Sequence, residues 1–239
     1  MTQDELEKVL KLHRAWLENL AGGLPANLSW VDLGRTNLRG ALLRVANLTG
    51  ANLNGVNLLK ANLSGASLYG ANLNKAVLAD ADLSSADLSR ANLHNADLSG
   101  ARLKGANLTQ ADLRGADLSK ADLRDADISE ALLVGADLVE ANLMGADLSG
   151  SNLTGARLIG ANLSGEDLRW AKLRAANLSG ARLSDTDLRA ADLRNTILRK
   201  ADLGGADLSD ADLSGADLGG ADLSRTTLQG AHMPEEPAF

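Results

Sequence analysis

The sequence predicts an all-β solenoid, a coil of short edges and tight turns closed at its N-terminal end by a helical cap. Three observations carry that expectation. A five-residue unit starts near Ala26 and repeats 41 times without a slip, and self-similarity at a fixed period marks stacked repeats. Hydrophobic residues make up 45% of the 239 residues but aromatic ones only 2%, so small and medium side chains must fill the interior. Residues 2 to 21 break the unit and show helical spacing instead. The boundaries that follow are a capping helix over 1–23, a repeat coil over 24–233 and a tail over 234–239.

The helix comes first. Leu6, Val9, Leu10, His13, Trp16, Leu17 and Leu20 recur at the spacing of one helical face. Thr2 with Glu5 reads as a capping box at the start, and Gly22-Gly23 as a left-handed stop. An open β-coil presents unpaired backbone groups, and a helix laid across it blocks edge-to-edge growth. His13 and Trp16 are expected to pack on the first coil, the other reading being contact with a partner.

In the repeat itself, the central position is Leu in 40 of 41 units and Ile128 in the other. Two residues earlier stands Ala in 33 units, and between them Asn or Asp in 31. A period of five suits neither the 3.6 of a helix nor the 2 of a long strand, so the chain must turn once per unit. Ala and Leu then point inward and the residue between them outward. Four edges close a square coil, and coils stacked at roughly 4.8 Å make about ten layers in a rod on the order of 50 Å long. Gly stands two residues after the Leu in 19 units, where a type II turn needs positive φ. Units with Trp30, Lys60 or Glu140 there are expected to use a second turn type.

After Ala231-His232-Met233 the prolines at 234 and 237 stop the coil. The last coil must then be covered by the tail, with Phe239 over the final Leu, or by a second copy joined end to end.

Units such as Ala51-Asn52-Leu53-Asn54-Gly55 and Ala116-Asp117-Leu118-Ser119-Lys120 resemble the pentapeptide-repeat protein family over residues 26 to 230. The resemblance implies a right-handed quadrilateral β-helix with internal Leu and Ala ladders, and it implies no enzyme activity. Some members protect type II topoisomerases by imitating duplex DNA. This chain lacks their central Phe and their mid-rod interruption.

Composition narrows the chemistry further. The formal net charge is -7, which disfavours direct nucleic-acid binding. Residues 21–80 carry net +3, residues 81–160 net -5 and residues 161–239 net -4. There is no cysteine, and the three histidines lie too far apart to converge. No cofactor, metal site or catalytic residue is expected. The N-terminus lacks the basic and apolar regions of a signal peptide or membrane span, so a cytoplasmic protein without membrane contact is expected.

Stacked positions lie 20 apart, so surface columns can be sorted from the sequence. Asp127, Asp147, Asp167, Asp187 and Asp207 share one face on five consecutive coils. Read as charge, such a column disfavours full ionisation and attracts cations or a basic protein surface. Read as structure, Asp and Asn bond nearby backbone at the corners, with Arg169 and Arg189 partly neutralising the column. Val134, Val139, Met144 and Ile159, with Leu132, are outward apolar residues that would mark a partner site if they formed a patch. Glu166 occupies the inward slot between Ala146 and Thr186. It is expected to swing out on a local bulge beside Arg169, the alternative being a buried carboxyl bonded by Thr186 and serving as a proton-binding or partner-contact site. The function expected is a non-catalytic scaffold binding an unidentified protein. A DNA-mimicking modulator of gyrase and a cation-binding accessory protein are the alternatives.

Overall fold

The structure, a computed structural model, describes residues 1–235. Helix α1 spans Gln3–Leu17. Thr2 Oγ1 accepts the Glu5 N–H at 3.2 Å while the Glu5 carboxylate accepts the Thr2 N–H at 2.8 Å, so two otherwise unpaired amides at the helix start are satisfied reciprocally. The helix ends four residues before the expected position. Asn19, at φ 55, makes the left-handed turn, Asn being a residue that tolerates it. Gly22 is left-handed as well, at φ 78. Gly23 serves closeness: a Cβ there would overlap the Trp16 backbone.

Beyond the helix the chain winds in layers of four units. Each outward central-edge residue pairs in parallel with the residue 20 further on, from Asn27 with Asn47 to Asp212 with His232. Around Leu118 the pattern is typical. Leu118 N–H donates to the Asp137 carbonyl (2.7 Å), Lys120 N–H to that of Val139 (2.9 Å), and Asp137 N–H to that of Ala116 (2.9 Å). Ala121 N–H closes the turn on the Leu118 carbonyl at 3.0 Å. Because only one residue per edge is bridged, each edge is a short rung and the ladder runs along the rod.

All 41 residues two after the central position have positive φ, 22 of them not glycine. Trp30, Lys60 and Glu140 sit at φ 61, 58 and 58, so the units without glycine do not switch to a turn that relieves the left-handed backbone, contrary to the sequence-based expectation. Stacking over-determines the conformation: in 21 of these 22 residues, all but Arg225, the N–H is held by a carbonyl of the next coil, as Lys60 N–H is by Ala79 at 3.0 Å.

The interior is filled to its axis. Every central residue from Leu28 to Leu218 is at most 3% exposed, and the inward Ala residues between them are buried except the half-buried Ala41. Leu6 and His13 of α1 are buried on the first coil, with Val9 and Leu10 packed beside them. His13 Nδ1 accepts the Ala26 N–H at 3.0 Å, and the His13 ring stacks on Trp16 with centroids 5.6 Å apart. His13 therefore packs on the first coil as expected, and half-buried Trp16 packs on His13. No helix among the described residues is long and apolar enough to cross a membrane.

Candidate functional site

With the core closed, chemistry is confined to the outside of the coil. The outward slot between Ala and Leu is governed by one local bond. In Asp117, Oδ1 accepts the Ser119 N–H at 2.9 Å, and in Asn52 the same atom accepts the Asn54 N–H at 3.2 Å. Such a bond forms at all 31 Asn and Asp residues of the slot, which need only one side-chain oxygen for it.

The Asp column is built on this bond. Asp127, Asp147 and Asp207 accept the N–H groups of Ser129, Ser149 and Ser209. Asp167 and Asp187 are each gripped by the arginine two residues on, Arg169 Nε to Asp167 Oδ1 at 2.9 Å and Arg189 Nε to Asp187 Oδ1 at 2.8 Å. The arginines also reach up the column, Arg169 to Asp187 at 3.7 Å and Arg189 to Asp207 at 3.8 Å. At Asp167 and Asp187 this zipper reverses the suppressed ionisation that a column of like charges alone would give. The Arg169 guanidinium holds the Asp167 carboxyl below its usual range, and Arg189 does the same for Asp187. At Asp127 burial opposes ionisation, but the Ser129 hydroxyl and N–H together with the Thr109 hydroxyl outweigh it.

The outward apolar residues do not gather on one face. Val134 and Leu132 share a unit, Val139 and Ile159 stack on the next face, and Met144 lies on the one after. Met144 and Leu132 are exposed, whereas Val134, Val139 and Ile159 are half-buried.

Glu166 departs from its expected outward swing. It is only 4% exposed, and its Oε1 accepts the Gly145 N–H at 2.6 Å. That amide would otherwise donate to Ser164. The neighbouring bond from Asp167 N–H to the Ala146 carbonyl is also missing, and Leu148 to Asp167 and Gly150 to Arg169 lengthen to 3.2 and 3.3 Å. The carboxylate thus wedges between two coils. Burial pushes its pKa up, against the Gly145 N–H and with help from the Asp125 charge. Thr186 does not bond it; its hydroxyl donates to the Leu163 carbonyl at 2.9 Å.

The family model for pentapeptide repeats matches residues 26–65, 61–100, 91–129, 126–165, 167–205 and 206–234. The chain belongs to the pentapeptide-repeat family. Members are non-catalytic repeat proteins that form right-handed quadrilateral β-helices. Among solved structures the chain is similar to HetL, a pentapeptide-repeat protein involved in heterocyst differentiation regulation in the cyanobacterium Nostoc sp. strain PCC 7120. Identity is 36%, coverage is 93% of this chain and 95% of that one, and the TM-score is 0.74. It is more distantly similar to trypsin-treated QnrB1, a plasmid-mediated fluoroquinolone resistance protein, at 23% identity, covering 75% and 91% of the two chains with a TM-score of 0.48. No curated protein matches.

Two further residues stand out against this pentapeptide-repeat pattern and escaped the sequence reading. Leu42 fills the Asn/Asp slot and Val45 the glycine slot of a single unit, and both are exposed. Their signal was present as two breaks of the consensus in five residues. At the far end Leu223 is half-buried and Leu228 exposed, with no next coil above them among the described residues. The proposed cover by Phe239 lies outside the described residues.

Proposed function

We propose that this chain is a non-catalytic interaction protein, a rigid rod of about ten coils that binds another protein through its outer faces without direct contact to nucleic acid. The observation that carries the reading is the division within the unit. Inward positions are Ala or Leu with few exceptions and are buried from residue 43 to residue 218, whereas the two outward positions after the Leu hold residues of every chemical kind, so most of the variation open to selection lies on the surface. The likeness to HetL, a pentapeptide-repeat protein involved in heterocyst differentiation regulation, supports the same view. On this reading α1 caps the first coil, and the open last coil is a surface on which two copies join end to end.

The test is affinity capture with the intact rod against extract of the native host, using Leu118→Asp as the control. A partner held by the intact rod and lost with the unfolded control supports the proposal. Inhibition of gyrase supercoiling, or relief of drug-trapped cleavage, by the purified protein would move the assignment to DNA mimicry. Stoichiometric heat on calcium or manganese titration would move it to cation binding. The zipper speaks for neither, because Asp167, Asp187 and Asp207 are already paired with arginine.

A further inference from the structure

The unit Ala41-Leu42-Leu43-Arg44-Val45 breaks two local rules at once, and each break weakens the coil. Leu42 replaces the Asn or Asp whose side chain closes the corner, so that bond is absent here. Val45 takes the left-handed position at φ 59, the only β-branched residue among the 41 there, where branching at Cβ makes the conformation a genuine outlier. Neither side chain is repaid by burial, at 45% and 50% exposed. Residues that give up local stability and remain in solvent point to a role outside the fold.

Their surroundings supply that role. Leu42 and Ala41 form one wall of a groove of about 360 Å³ against α1, with Leu10 opposite and Lys11, Arg14 and Gly40 at its rim. Arg14 pairs with Glu18 at 3.0 Å. Lys11, Arg39 and Arg44 pair with no carboxylate among the described residues. Further along the rod the arginines at 102, 114, 124, 157, 169, 189, 194 and 199 are paired, while Arg90, Arg174, Arg182 and Arg225 have no carboxylate partner among the described residues. Apolar walls with unpaired Lys11 at the rim, beside a stretch in which residues 21–80 carry net +3, complement an acidic chain that carries bulky apolar side chains.

Resting on the interaction reading above, we infer that the groove between α1 and the Ala41–Val45 unit docks an acidic peptide segment of a partner protein, one or two of its apolar side chains seated on Leu10 and Leu42. The carboxylates of that segment face Lys11, Arg39 and Arg44.

Leu42→Asn with Val45→Gly restores the consensus at both positions, so the test does not depend on a damaged fold. The probe is a fluorescein-labelled 14-residue peptide rich in Glu and Asp with two leucines four apart, followed by anisotropy on the full chain. Expected is binding that weakens with salt, falls about tenfold or more in the double variant and in Arg44→Glu, and accompanies a rise in the double variant's Tm of a few degrees. The inference is overturned if the acidic peptide fails to bind, if the double variant binds it as well as the parent, or if a lysine version of the peptide or a labelled DNA duplex binds equally. Self-association of the parent that the double variant abolishes would likewise overturn it, by making a second copy the occupant. A full-length partner captured equally by both forms would sink this inference and leave the interaction reading intact.

Discussion

At the level of single residues, Asp and Asn exchange freely in the outward slot because the corner bond uses one oxygen and no charge. Asp117 shows the consequence, its Oδ1 receiving the Ser119 N–H at 2.9 Å. Asp117→Asn is expected to change stability by less than about 0.5 kcal/mol, while Asp117→Ala costs about 1 kcal/mol, as for a lost helix cap. Urea melts of the two variants check this, and equal losses would mean that charge is what matters. Glu166 poses the opposite case. Its pKa is raised in the folded state by burial, so its favourable contribution exists below the ordinary glutamate pKa and is lost as pH rises through the folded value. Glu166→Ala should restore the two missing ladder bonds and stabilise the protein by about 1 kcal/mol, more at pH 7 than at pH 4. A loss of stability at pH 7 would show that the Gly145 contact outweighs desolvation. The anomaly at Glu166 was legible from its slot alone. Its inward direction was not, because the outcome turns on whether an unbranched side chain can reach an amide of the preceding coil.

Among the elements, the coil was the more legible, since a period of five assigns every position to inside, outside or corner. The helix boundary was less so. Glycine at 22 and 23 promised the stop, yet Asn19 turned first, and Gly23 serves the chain's close return past Trp16. The second turn type failed for a related reason: local propensity at Trp30 or Glu140 yields to a ladder that holds the backbone from the next coil. The helix also carries the molecule's clearest pH sensitivity. Burial lowers the His13 pKa, and its Nδ1 must stay unprotonated to accept the Ala26 N–H. A depressed histidine contributes fully above its unfolded value of about 6.5 and loses that contribution as pH falls below it. Urea melts should therefore show lower stability at pH 5.5 than at pH 7.5, a difference that His13→Phe reduces. Deleting residues 1–21 should leave β structure but promote assembly through the uncovered first coil, and sedimentation of a stable monomer would contradict the capping role.

For the whole molecule, stability is a sum over interfaces between successive coils, so one weak interface can divide the rod. The Glu166 wedge is such an interface. It redirects the Gly145 N–H from a backbone carbonyl to the Glu166 carboxylate, removes the bond from Asp167 and stretches those from Leu148 and Gly150, all four between the same two layers. Each net hydrogen bond contributes on the order of 1 kcal/mol, so the outright loss of the Asp167 bond weakens this junction by an amount comparable to about a tenth of a typical domain's total stability. Above and below it the ladder runs unbroken, from Leu28 to Leu143 on one side and from Leu168 to Leu213 on the other. Hydrogen exchange followed by mass spectrometry should then find two cooperative blocks, with the coils after Glu166 opening at lower free energy because they are fewer and end in an exposed edge. Glu166→Ala should merge the blocks by restoring the junction, slowing exchange throughout residues 168–213 while leaving residues 48–120 nearly unchanged. Uniform protection along the parent rod, or a substitution whose effect stays confined to residues 145–167, would show that the neighbouring coils carry the load across the wedge.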